Sequence, residues 1–140
     1  MNNLFIISIL LGLFIGISHG FHTLGESKVT VSNQLEHSKL LKVRCNKGDN
    51  DLGEHIVKIG EEYEFTFNDS IFGTTRYSCK MDQGPNFKHH QEFVVYDASW
   101  SKALEVTCKW IAREDGIYFS LDGNPPTRKY VWDGPHILNN

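Results

Sequence analysis

Alternation is the feature that most limits this fold. Tyr63, Phe65 and Phe67 alternate with Glu62, Glu64 and Thr66. A strand built from them sets three aromatic rings on one face and acids or Thr on the other. Val29 and Val31 sit in the same way among Lys28, Thr30 and Ser32, and Leu41, Val43 and Cys45 among Lys42 and Arg44. Runs at 55–59, 75–80, 92–96, 104–111 and 117–121, and a weaker one at 129–132, also read as strands. Turn sequences punctuate them: Gly48 to Asp51, Gly60, Gly84-Pro85-Asn86, Asp115-Gly116 and Asn124-Pro125-Pro126. This spacing predicts an antiparallel β-sandwich of about seven to eight short strands. No segment of useful length follows the helical period.

The first 20 residues carry no Asp, Glu, Lys or Arg, and twelve of them are Met, Leu, Ile or Phe. The apolar run is short for a bilayer span, and Ser18 and Gly20 fit a signal-peptidase site. The expectation is a signal peptide over 1–20, a mature domain over 21–140 beginning at Phe21, an extracellular location and no membrane insertion. All 14 basic and 17 acidic residues lie beyond residue 20, for a net charge of -3. That balance excludes a nucleic-acid protein that works through a strong basic field. Cys45, Cys79 and Cys108 allow one internal bridge and one remaining thiol. Asn68-Asp69-Ser70 is a glycosylation sequon with Asn68 as acceptor.

The chemistry-bearing residues give no catalytic pattern. Asp49, Asp51 and Glu54 crowd one loop. They read as a turn in which an Asp bonds nearby backbone N–H groups, rather than as a Ca²⁺ site. His89 and His90 are adjacent, so on a strand they point to opposite faces and do not converge on one metal. No Gly-x-Ser-x-Gly elbow or phosphate-binding Gly loop is present. No cofactor or metal is expected. Trp110, two residues from Cys108, reads as a core side chain. Trp100 stands in the polar run Asp97 to Lys102. It is either an interface anchor or a ring folded over the sandwich edge. The candidate recognition loops are 47–52, 81–90 and 97–102, with Asp49, Asp51, Trp100, His89 and His90 as candidate contacts.

Several features recur in a recognisable order. Asn33-x-Leu35 follows the first strand, and Arg44-Cys45 leads to Asp51-Leu52-Gly53. Then come Gly60, the aromatic strand, Phe72, Thr74-Thr75 and Tyr77-Ser78-Cys79. Cys108-Lys109-Trp110 and Glu114-Asp115-Gly116-Ile117-Tyr118 complete the set. In this the chain resembles the plant self-incompatibility S1 family, the S-protein homologues.

The resemblance implies a small secreted β-sandwich without enzymatic activity. It acts as a signalling or recognition protein and a monomer, and its partner is a plasma-membrane receptor protein. The alternatives are a small secreted hydrolase or a carbohydrate-binding or defence module. Family members usually carry a Cys-x-x-Cys before the tryptophan, and here Glu105 takes the first of those positions. The resemblance therefore implies one missing bridge, with Cys45–Cys108 preferred as the disulfide and Cys79 left as the thiol.

Overall fold

The computed structural model describes residues 25–68 and 73–135. The predicted signal peptide lies outside the described residues, as do Asp69 and Ser70 of the sequon.

Among the described residues nine strands form, named β1 (Glu26–Asn33), β2 (Leu41–Lys47), β3 (Asn50–Val57), β4 (Glu62–Asn68), β5 (Arg76–Gln83), β6 (His89–Asp97), β7 (Thr107–Arg113), β8 (Gly116–Leu121) and β9 (Thr127–Tyr130). They make two layers. Sheet A has the order β4-β1-β7-β8-β9 and sheet B the order β3-β2-β5-β6. The sandwich is as predicted, with nine strands where about seven to eight were expected and with one departure from a purely antiparallel arrangement. β1 and β7 pair in parallel, Val29 beside Cys108 and Val31 beside Trp110. A tight turn dictates antiparallel pairing only between sequential strands. β1 and β7 are far apart in sequence, so no turn constrains them.

The alternating residues make the core. Val29, Val31, Leu41, Val43, Cys45, Val95, Cys108 and Ala112 are fully buried, and Trp110 is 2% exposed. Trp110 faces inward, as expected, and its indole N–H donates to the Val95 carbonyl at 2.9 Å. Its ring packs on Phe93 and Phe119, with centroids 4.7 and 4.4 Å away. At the other side of the sandwich His55 of β3 stacks on Tyr63 of β4 at 4.0 Å, closing sheet B onto sheet A.

The preferred cysteine pairing is corrected. Cys45 is bonded to Cys79, their Cα atoms 3.9 Å apart, and it is Cys108 that lies buried outside the bridge. Cys45 and Cys79 stand directly opposite on the neighbouring strands β2 and β5, both facing inward. Cys108 belongs to the other sheet, where its cross-strand neighbours are Val29 and Leu121 and not a cysteine.

Strand boundaries also move. The segment expected to be strand from residue 104 is strand only from Thr107, so Leu104 stays in the loop. β3 starts at Asn50, earlier than the hydrophobic run, because Gly48 at φ 57 allows a two-residue link from Lys47.

Candidate functional site

The strand directions separate the connections into two ends. The β2–β3, β4–β5, β6–β7 and β8–β9 links lie at one end, the Trp100 end. The β1–β2, β3–β4, β5–β6 and β7–β8 links lie at the opposite end, the Asn33 end. The five candidate contacts are thereby split. Asp49, Asp51 and Trp100 sit at the Trp100 end, and His89 and His90 at the Asn33 end.

At the Trp100 end, Asp97 organises the β6–β7 loop. Its carboxylate accepts from the Ser99 backbone N–H at 2.9 Å, the Ser99 hydroxyl at 2.8 Å and Arg76 Nε at 3.0 Å. The Ser99 backbone bond is the main reason its pKa falls below 3.8, the ordinary value. This cap starts the single 3-10 turn Ala98–Trp100. The turn lays Trp100 against Phe119 and Tyr96, with centroids at 5.5 and 6.4 Å. The ring is thus folded over the sandwich edge, one of the two sequence readings, and stays 39% exposed. Farther along the same loop Leu104 is 67% exposed, the largest value among the exposed large apolar side chains. Sequence reasoning missed Leu104 by placing it in a strand. The available signal was Lys102 and Glu105 beside it, which do not suit a buried strand.

Asp49 and Asp51 border a shallow depression of about 280 Å³ on the outer face of sheet B, with Arg44, Lys80 and Glu92. Asp51 behaves as the turn reading predicts. Its Oδ1 accepts from Gly53 N–H at 2.9 Å, and its Oδ2 lies 3.6 Å from Arg44 Nε. Gly53 has φ 93, a left-handed conformation that favours glycine. The Asp51-Leu52-Gly53 motif is thus a bulge. Arg44 faces Glu54 and Asn46 faces Asp51, so β3 spends one extra residue opposite Cys45. The extra residue lets Leu52 and His55 both point inward at a spacing of three.

At the Asn33 end the side chains tie loops together. Asn33 is fully buried. Its amide donates to the carbonyls of Lys39 and Val57, both at 2.9 Å, and its Oδ1 accepts from Leu35 N–H at 2.9 Å. Glu114 accepts from Lys39 Nζ at 2.8 Å on both oxygens and from Glu36 N–H at 3.0 Å. The Lys39 bond is the main reason the pKa of Glu114 is lowered. His89 and His90 serve the same tying role. Asp133 accepts from His90 N–H at 2.8 Å and contacts His89 Nδ1 at 2.5 Å. The His90 bond leads the lowering of the Asp133 pKa. Gln91, 5% exposed, donates to the carbonyls of Val131 and Gly134. The segment after β9 is in this way strapped across the start of β6.

Asn68, the predicted glycan acceptor, is exposed at the end of β4, on the Trp100 end. No group of three or more His, Cys, Asp or Glu able to hold a metal ion is present among the described residues.

The class is now defined: a two-sheet β-sandwich with one cross-strand disulfide, tied at one end and presenting loops at the other. Residues 28–132 match the family model of the plant self-incompatibility protein S1. S-protein homolog 9 of Arabidopsis thaliana is 38% identical over 136 residues, covering 94% of this chain and 99% of that protein. S-protein homolog 8 of the same plant is 36% identical over 126 residues, covering 89% and 93%. A solved SPH (self-incompatibility protein homologue) structure superposes with a TM-score of 0.64 at 27% identity, covering 79% of this chain and 97% of that one. That protein is described as one of a widespread family of small, highly stable, secreted proteins from plants. The chain belongs to the plant self-incompatibility protein S1 family, the S-protein homologues.

Proposed function

We propose that this S-protein homologue is a secreted, non-enzymatic recognition protein that binds a plasma-membrane protein through the loops of the Trp100 end. The observation that carries the reading is the pair of exposed apolar side chains on one capped loop, Trp100 at 39% and Leu104 at 67%. Large apolar side chains held in water by a rigid scaffold are the usual anchors of a protein interface. Asp49 and Asp51, at the same end, supply a polar rim with Arg44 and Lys80. Secretion is supported by the apolar leader at residues 4–17 and by the description of the related SPH structure. In the described residues no helix is long and apolar enough to cross a membrane.

The test is saturable binding of labelled, oxidised protein to plant plasma membranes, with unlabelled protein as competitor. The expected result is competable binding that the Trp100→Ala, Leu104→Ser double variant loses while keeping its thermal midpoint within a few degrees. No competable binding by the folded protein, or full binding by the double variant, refutes the reading.

A further inference from the structure

The four edge strands of the sandwich differ in one respect. β3 carries the bulge at Leu52 and Gly53. On β6, Tyr77 faces Tyr96 and Ser78 faces Val94, leaving Val95 as an extra residue. On β9, Ile117 faces Tyr130 and Tyr118 faces Arg128, leaving Lys129 extra. A bulge twists an edge and breaks its row of pairing groups, which protects it from strand addition. β6 is also covered at its start, where Asp133 N–H donates to the His90 carbonyl at 2.9 Å.

Among the described residues β4 has no such device. Seven consecutive residues, Glu62 to Asn68, pair with β1 in unbroken register. It contains no proline and is the last strand of sheet A. Its two carboxylates are engaged on the outer face of its own sheet. Glu64 lies 3.2 Å from Lys28, and Glu62 lies 3.3 Å from Lys109. Tyr63, Phe65 and Phe67 are half-buried: they pack on the core, and the sheet ends beside them.

We propose that β4 is a docking edge for β4 of a second copy of this chain, paired antiparallel about a twofold axis at Phe65. This register sets Phe65 beside the second copy's Phe65 and Tyr63 beside its Phe67. Aromatic cross-strand pairs are among the favourable ones. It also sets Glu64 against Thr66 and Glu62 against Asn68, so no carboxylate faces another. Moving the axis one residue, to Glu64, would oppose Glu64 to itself, and like charges directly opposite repel. The charge pattern excludes that register, and among those that keep carboxylates apart the Phe65 axis is the one that pairs all seven residues of β4. The dimer is weak and reversible, because one strand edge buries less than the roughly 1,200 Å² of a standard interface. The proposal is independent of the receptor reading and its failure leaves that reading untouched.

Sedimentation velocity of the oxidised protein from about 5 to 500 µM tests it, a range suited to a weak interface. The expected result is a monomer at the low end and a growing dimer fraction at the high end. Thr66 is exposed on the outer face, so its substitution leaves the core alone. Thr66→Glu, which opposes two carboxylates twice per dimer, should weaken association about tenfold. Thr66→Lys, which faces Glu64 instead, should retain or tighten it. A wild-type chain that stays monomeric throughout overturns the proposal and opens the edge to a strand from another protein. So does equal association by Thr66→Glu and wild type, which would place the contact elsewhere.

Discussion

The two ends of the sandwich handle polar groups in opposite ways. At the Asn33 end, bonds join segments far apart in sequence: Glu114 to Lys39, Asn33 to Val57, Gln91 to Val131, Asp133 to His90. At the Trp100 end, many of the loop bonds stay within one turn, as from Asp97 to Ser99, Ser101 to Ala103 and Asn46 to Gly48. That end is fastened from within the strands, by the Cys45–Cys79 bridge on β2 and β5. One end thus uses its loop polar groups to hold the fold. The other combines local turns with a few longer ties, such as Arg76 to Asp97 and Val106 to Ser27, and exposes Trp100 and Leu104, where the loops of the Asn33 end expose Leu40 and Ile59.

The largest expected effect tests the internal fastening. Cys79→Ala should destabilise by about 3–4 kcal/mol in the loop-entropy account, given the 34-residue separation of the bridged cysteines. Cys108→Ala should cost only about 1 kcal/mol, as the loss of a small buried apolar group. Urea unfolding of both variants checks the contrast, and equal losses would contradict the assigned pairing.

Next comes the tie at the opposite end. Asn33→Ala orphans two carbonyls and the Leu35 N–H in a buried site, for an expected loss of about 3 kcal/mol. Glu114→Gln removes a partly exposed ion pair and should cost about 0.5–1 kcal/mol. The same end should respond to acid. Glu114 and Asp133 have pKa values lowered from 4.5 and 3.8. Depressed carboxylates stabilise the folded state fully above those unfolded values, and the contribution is lost as pH falls through the lower folded ones. Thermal midpoints should therefore be flat above pH 5 and fall below pH 4, less steeply in Glu114→Gln. An unchanged slope would remove Glu114 from the acid response. The smallest stability effect belongs to Leu104→Ser, within about 0.5 kcal/mol, since the side chain is largely in water. Its loss should appear in membrane binding.

Much of the fold was legible because a strand writes its faces into alternate positions. Tyr63, Phe65, Phe67, Val29, Val31 and Trp110 face inward as their spacing predicted. The boundaries were less legible where the period breaks. A bulge adds one residue, so Val95 and Tyr96 are consecutive and both buried. Of the candidate contacts, Trp100 was recognisable as an aromatic ring in a polar loop. The roles of His89 and His90 were not, because their partner Asp133 is more than 40 residues away. Leu104 was hidden inside an apolar run whose first residues do not pair.

The sequence by itself determined most of the strands, their inward faces, the turn at Gly48 and the bond from Asp51 to a nearby backbone N–H. Each depends on neighbours a few residues apart, whose backbone preferences and side-chain period act locally. Tertiary structure alone decided the parallel β1–β7 pair, the Cys45–Cys79 bridge and the sorting of loops into two ends. Those depend on which strands become neighbours, a choice made by burying all the apolar faces at once, and no local spacing encodes it.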